Sequence, residues 1–128
     1  MKKYIPTSAK WFPLSSAVVH NCEYEMEISG QIGKNFETGE LEQWIEAQTH
    51  RIVKEIKNTL MQVWWDLSNV IKVRIFLVDM ADYEKMNDVY AQYFSWDYPA
   101  RFALEVSALP SWALVEIECK AVGESISS

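Results

Sequence analysis

Glycine and proline are scarce, with four of each in 128 residues. The glycines are scattered, so neither a GxGxxG turn nor a P-loop can cradle a phosphate, and the GxSxG nucleophile elbow is missing as well. Cys22 and Cys119 are too few and too far apart for a disulfide framework or a CxxC metal knuckle. They read as small core thiols of a chain in a reducing, cytoplasmic compartment. His20 and His50 are remote from each other, and the carboxylates show no metal-ligand spacing, so no metal or organic cofactor is expected. Arginine is rarer still: Arg51, Arg74 and Arg101. With 18 acidic against 12 basic residues, the net charge is −6. Nucleic-acid binding through phosphates relies on a basic stripe that displaces counterions, and this dispersed, acidic pattern has none. No apolar run approaches the ~20 residues that span a bilayer. The basic opening Met1-Lys2-Lys3 leads into no stretch of signal-peptide length. Neither membrane attachment nor export is expected.

What remains is a chain 49% hydrophobic and 23% charged, apolar enough to offset its ordering entropy. Residues 1–128 read as one domain near the commonest size. Such a domain hides roughly 65–70% of its unfolded surface, which gives it a core but little room for a deep private cleft.

Hydrophobic period divides the chain. Residues 22–28 alternate strictly, with Tyr24, Met26 and Ile28 opposite Glu23, Glu25 and Glu27, as in a strand with one buried face. Lys34 to Glu40 is a turn cluster in which Gly39 is expected to supply a positive φ. From Leu41 to about Trp64 the pattern is helical, Ile45, Ile52, Ile56, Leu60 and Val63 forming one stripe. Val70 to Val78 is β-branched and almost continuously apolar, which predicts an interior strand. Asp82 is placed to cap a second helix, on which Met86, Val89, Tyr90 and Tyr93 share a face. An aromatic loop, Phe94-Ser95-Trp96-Asp97-Tyr98, leads to Pro99 and two further strands, Phe102 to Ser107 and Leu114 to Val122. The order strand, strand, helix, strand, helix, strand, strand predicts an α+β sandwich with two helices on one face of a mixed sheet.

Arg101 has no other cation within fifteen residues on either side. A guanidinium in an apolar setting needs an anion, and its rigid fork matches a carboxylate. Two partners satisfy that need, an acidic side chain of the same chain or a ligand. Glu116, mid-strand between Val115 and Ile117, is a solvated edge carboxylate or, if its face turns into a pocket, a proton-transfer group. Ser29-Gly30-Gln31 ends the second strand as an ordinary bulge or as a place where a ligand approaches the backbone. Asn87 is either an exposed helix residue or a ligand contact.

In chain order, Ser29-Gly30-Gln31-Ile32-Gly33, Glu37-Thr38-Gly39-Glu40, Val78-Asp79-Met80, Met86-Asn87-Asp88-Val89-Tyr90, Pro99-Ala100-Arg101 and Val115-Glu116-Ile117-Glu118 resemble the Rid family. This is the family of reactive intermediate deaminases, also called YjgF or L-PSP endoribonuclease proteins, and the likeness spans roughly residues 15 to 122. It implies a chorismate-mutase-like α+β fold and a homotrimer with a site in each inter-subunit cleft. It also implies hydrolysis of 2-aminoacrylate-like enamines and imines to 2-oxo acids and ammonia. Arg101 then matches the carboxylate-binding arginine and Glu116 the water-positioning glutamate. Ser29 and Gly30 match the pocket lining, and Asn87 a residue beside the cleft. A non-catalytic binder of small carboxylates is the alternative, and an endoribonuclease is set against by the charge. The departures gather round the pocket. Phe12-Pro13-Leu14 stands where many members have Gly-Pro-Tyr, Ala103 where a cysteine is frequent, and Trp64-Trp65-Asp66 where a glycine commonly ends the first helix.

Overall fold

Apolar stripes at helical and strand spacing need a common surface to cover, and in this chain they cover each other. In the computed structural model, which describes residues 1–9, 12–95 and 97–127, the chain forms six strands and two helices. They are β1 (Lys2–Pro6), β2 (Ser15–His20), β3 (Tyr24–Ile32), α1 (Ile45–Met61), β4 (Val70–Leu77), α2 (Tyr83–Tyr93), β5 (Ala100–Glu105) and β6 (Val115–Gly123). The strands form one mixed sheet in the order β1-β2-β5-β4-β6-β3. β4 and β5 are parallel neighbours joined through α2, a βαβ unit, while β4/β6 and β6/β3 pair antiparallel. The expected α+β class and the interior position of β4 are what the structure has.

The core lies between the helices and one sheet face. Ile45, Ile52, Ile56 and Leu60 of α1 and Met86 and Tyr90 of α2 pack with Val73, Ile75, Ile117 and Cys119. Each such aliphatic side chain, fully buried, contributes about 1.5–3 kcal/mol before entropy is counted. Burial pushes the Cys119 thiol up to about 12, so it stays protonated and serves as packing. Among the described residues neither α1 nor α2 covers the opposite face. Its half-buried residues alternate with the core set, and ion pairs Arg74–Glu118 (3.3 Å) and Lys120–Glu27 (3.1 Å) cross its strands beside the edge-on rings of Phe76 and Phe102.

Several local expectations are corrected. The chain has a sixth strand, β1, whose short Lys-Lys-Tyr-Ile-Pro stretch has little pattern of its own and is ordered by pairing with β2. α1 begins at Ile45, because Leu41 bridges Lys34 and Glu42 N–H donates to Gly33 C=O (2.8 Å), holding the preceding residues extended. It ends at Met61, after which Val63 and Trp64 close a turn. There Trp64 takes φ 64, doing with a bulky side chain what glycine does without strain. Asp82 makes no side-chain cap; Asp79 does, accepting from Ala81 N–H at 2.9 Å, because a 3₁₀ turn (Met80–Asp82) precedes α2 and moves the cap back three residues. β5 begins at Ala100 and ends at Glu105, two residues earlier than the pattern predicts at each end. Gly39 has the expected positive φ, 76. Trp96 of the aromatic loop lies outside the described residues.

One buried polar side chain ties these parts together. Gln48 of α1 donates to Glu42 C=O and accepts from Leu114 N–H, both at 2.9 Å, fixing the entrance of β6 against α1. Gln48→Leu would leave the Glu42 C=O and the Leu114 N–H, both on half-buried residues, without this partner, an expected loss of about 1–3 kcal/mol. It would be read as a lower urea midpoint with an unchanged slope; an unchanged midpoint would refute the tie.

Candidate active site

Arg101 enters the helix side of the sheet. Its backbone pairs with Val73 of β4, whose side chain is in the core, and alternation sends the Arg101 side chain the same way, toward α2. The residue is 8% exposed. Nη2 donates to Asn87 Oδ1 at 2.5 Å and to Tyr83 Oη at 3.1 Å. The guanidinium carbon lies 4.8 Å from the Tyr90 ring centroid and 5.7 Å from that of Tyr83, within cation–π range. Every one of these partners is neutral. Among the described residues no Asp or Glu pairs with Arg101, whereas Arg51 and Arg74 both have carboxylates. Among the described residues Nε and Nη1 are buried and make no hydrogen bond of good geometry, and the buried Tyr90 hydroxyl lies beside the guanidinium. Burial holds the Tyr90 phenol well above its usual range, so it stays a neutral O–H donor. Of the two readings of Arg101, the internal salt bridge is excluded within the described chain.

The other candidates lie on the opposite face. Glu116 pairs with Phe76 of β4 and Ile32 of β3, so it projects with Phe76 away from the helices. Between Ile28 and Gln31 the β3–β6 register shifts, and Ser29 and Gly30 form the bulge inside β3, not its end. The Glu116 carboxylate folds onto that bulge. A Cβ at Gly30 would stand 2.6 Å from Glu116 Oε2, so the absence of a side chain makes room for the carboxylate. Ser29, Gly30 and Glu116 therefore form one cluster, and Arg101 and Asn87 form another.

Within one chain the two clusters do not meet. Their β4 partners, Val73 and Phe76, are three residues apart and β4 runs between β5 and β6. That spacing separates the backbones by roughly 10 Å along the strands and roughly 10 Å across them, with side chains on opposite faces. The strand-entry segment borders the arginine cluster: Phe12 stands edge-on to Tyr83 at 6.4 Å, and Ser15 Oγ donates to Tyr98 C=O at 2.5 Å. Tyr83 was not singled out from the sequence. Its signal was its spacing, four residues before Asn87 and seven before Tyr90, which puts all three on one face of α2.

The sequence model of the family described as Endoribonuclease L-PSP matches residues 8–123. A RutC family protein of Pyrococcus horikoshii is 46% identical over 98 residues, 76% of this chain and 78% of that protein. The 2-iminobutanoate/2-iminopropanoate deaminase of Homo sapiens is 34% identical over 111 residues, 86% of this chain and 80% of the human protein. The crystal structure of RidA from the Antarctic bacterium Psychrobacter sp. PAMC 21119 superposes with a TM-score of 0.75 at 33% identity, covering 93% of this chain and 94% of that one.

A neutral cradle makes a testable electrostatic statement. Asn87→Asp would place a carboxylate against Arg101 Nη2, and its folded pKa would fall below the unfolded value of about 3.9. A group depressed in this way adds stability above its unfolded pKa and loses it as pH falls through the folded one. The variant should exceed the parent at pH 7 by about 1.4 kcal/mol or more, one pKa unit's worth, and the gain should vanish toward pH 2. Urea melts at the two pH values check this; no gain at pH 7 would mean that Arg101 is already neutralised.

Proposed function

Because the chain belongs to the Endoribonuclease L-PSP family, which is the Rid family, we propose that it hydrolyses 2-imino acids, and the enamines that tautomerise to them, to 2-oxo acids and ammonia. Family-level deaminase activity is carried by relatives bearing that name, at 34% to 40% identity. The observation that carries the reading in this chain is the buried Arg101 guanidinium, which has neutral partners and no anion among the described residues. A buried cation left unpaired is costly, and a ligand carboxylate offsets that cost.

In this reading Arg101 holds the substrate by its carboxylate and fixes the imine carbon next to a water. Glu116 orients that water and takes its proton. The water oxygen bonds to the carbon of the protonated imine, and the C=N π pair moves to nitrogen, giving a neutral carbinolamine. Glu116 then returns the proton to nitrogen, the C–N bond breaks, and the hydroxyl gives its proton to Glu116 as it becomes the 2-oxo group; the departing ammonia carries that proton away as ammonium. An iminium carbon is already electrophilic, so acid–base help and positioning are what the step asks of the protein.

Since Arg101 and Glu116 face opposite sides of one sheet, the site is proposed to form between chains, with Arg101 and Asn87 from one and Ser29, Gly30 and Glu116 from the next. A homotrimer with three such clefts meets this requirement, its helix-free sheet faces packed inward around the axis and burying Phe76, Phe102 and Leu104. RNA cleavage fits less well, since the net charge is −6 and two of the three arginines are held by carboxylates.

Incubation with 2-aminoacrylate generated in situ should show faster pyruvate release. Arg101→Ala should lower kcat/KM about 100-fold, in line with losing charge-assisted hydrogen bonds to a carboxylate. Glu116→Gln should lower kcat by about 10² or more, the usual worth of a positioned acid–base group. Binding of 2-oxobutyrate without turnover would favour a carboxylate sensor instead; an undiminished rate in Arg101→Ala would refute the assignment.

A further inference from the structure

The outer side of α1 concentrates charge of the sign opposite to that of the chain as a whole. His50, Lys54 and Lys57 follow one another at intervals of four and three, so they share one face of the helix. With Arg51, Glu42 and Tyr93, the last residue of α2, they line an open groove of about 700 Å³. Like charges at this spacing repel unless counter-charges relieve them. The carboxylates at hand are already committed: Glu42 accepts from Arg51 Nε at 3.1 Å, and Glu55 stands 3.7 Å from Arg51 Nη1. Among the described residues neither Lys54 nor Lys57 pairs with a carboxylate.

Tyr93 organises this cluster. Lys57 Nζ lies 5.9 Å from its ring centroid, and its hydroxyl is 2.5 Å from His50 Nδ1, with the two rings edge-on at 5.5 Å. A phenol is the better donor of that pair, so the neutral imidazole keeps its own proton on Nε2. That N–H has no acceptor among the described residues. A second depression of about 500 Å³ adjoins the groove at His50 and adds Lys85 of α2, with Glu46 and Trp44.

We propose that the groove outside α1 binds a small phosphate-bearing molecule. Ammonium groups act on anions as point charges with three donors each, which suits a tetrahedral oxyanion carrying more than one charge. A planar carboxylate is matched by a guanidinium fork, and the fork present here, Arg51, is engaged by Glu42 and Glu55. The volume exceeds that of a bare phosphate and leaves room for the group that bears it. An extended polyanion fits less well, because the net charge is −6 and Glu46 and Glu55 flank the cations. No residue of the groove belongs to the imine site, so this inference stands apart from the proposed hydrolysis.

Inorganic pyrophosphate is the probe. Calorimetric titration of the full chain at low ionic strength should give a saturating one-site isotherm that weakens as salt is raised, since these cations are partly exposed. Lys54→Gln/Lys57→Gln should weaken binding at least tenfold, the size of one lost hydrogen bond from a charged donor. Lys3→Gln, which removes an exposed lysine of β1, should leave the affinity within about twofold. No saturable binding of millimolar pyrophosphate, or an equal loss in Lys3→Gln and in the double variant, would overturn the site. An oligoribonucleotide that binds more tightly than pyrophosphate and depends on the same two lysines would overturn the assignment to a small ligand.

Discussion

A positive charge buried among neutral groups governs this structure. Arg101 meets two oxygens and two aromatic rings, and no carboxylate among the described residues offsets its charge. Folding such a group costs stability unless something else repays the desolvation. The surrounding elements make the arrangement possible. The β4–α2–β5 crossover lays α2 across the parallel pair, so that the same helix face that buries Met86 presents Tyr83, Asn87 and Tyr90 to the guanidinium. The side chain is thus oriented in advance and still electrostatically unsatisfied, which is the condition for anion recognition in a site with little water.

The second constraint is sheet parity. Side chains alternate across a strand, so the registers Arg101–Val73 and Glu116–Phe76 commit the two residues to opposite faces. No rotamer change reverses that. One chain therefore carries two separate clusters, each built locally: an arginine on its cradle, and a glutamate folded onto the side-chain-free bulge at Gly30. The small size of the domain and the division of the site have the same remedy. In the proposed homotrimer a neighbouring copy completes the cleft and covers the helix-free face in one association.

Much of this was legible in the residues. The strict alternation of β6, the Ile/Leu stripe of α1 and the β-branched run of β4 each carry their own period, and local period survives into the fold. Arg101 stood out because no cation lies near it, and the quoted motifs named the family. What escaped was whatever depends on pairing. β1 has almost no pattern, because an edge strand is ordered by its partner. The displaced cap at Asp79 depended on a 3₁₀ turn that propensity does not announce. The parity of Arg101 and Glu116 is invisible until the strands are registered, since Glu116 lies in a strand pattern of its own and Arg101 stands just before another. Tyr83 drew no notice in the sequence, and only the position of Arg101 shows what its hydroxyl meets.

The central claim is that Arg101 of one chain and Glu116 of another act on one substrate. The most direct measurement mixes Arg101→Ala and Glu116→Ala, each inactive alone, by co-refolding them in equal amounts. In random assemblies about a quarter of the inter-chain sites would receive an intact arginine and an intact glutamate, so about a quarter of the parent's imine-hydrolysing activity should return. Mixed assemblies that form and remain inactive would contradict the two-chain site.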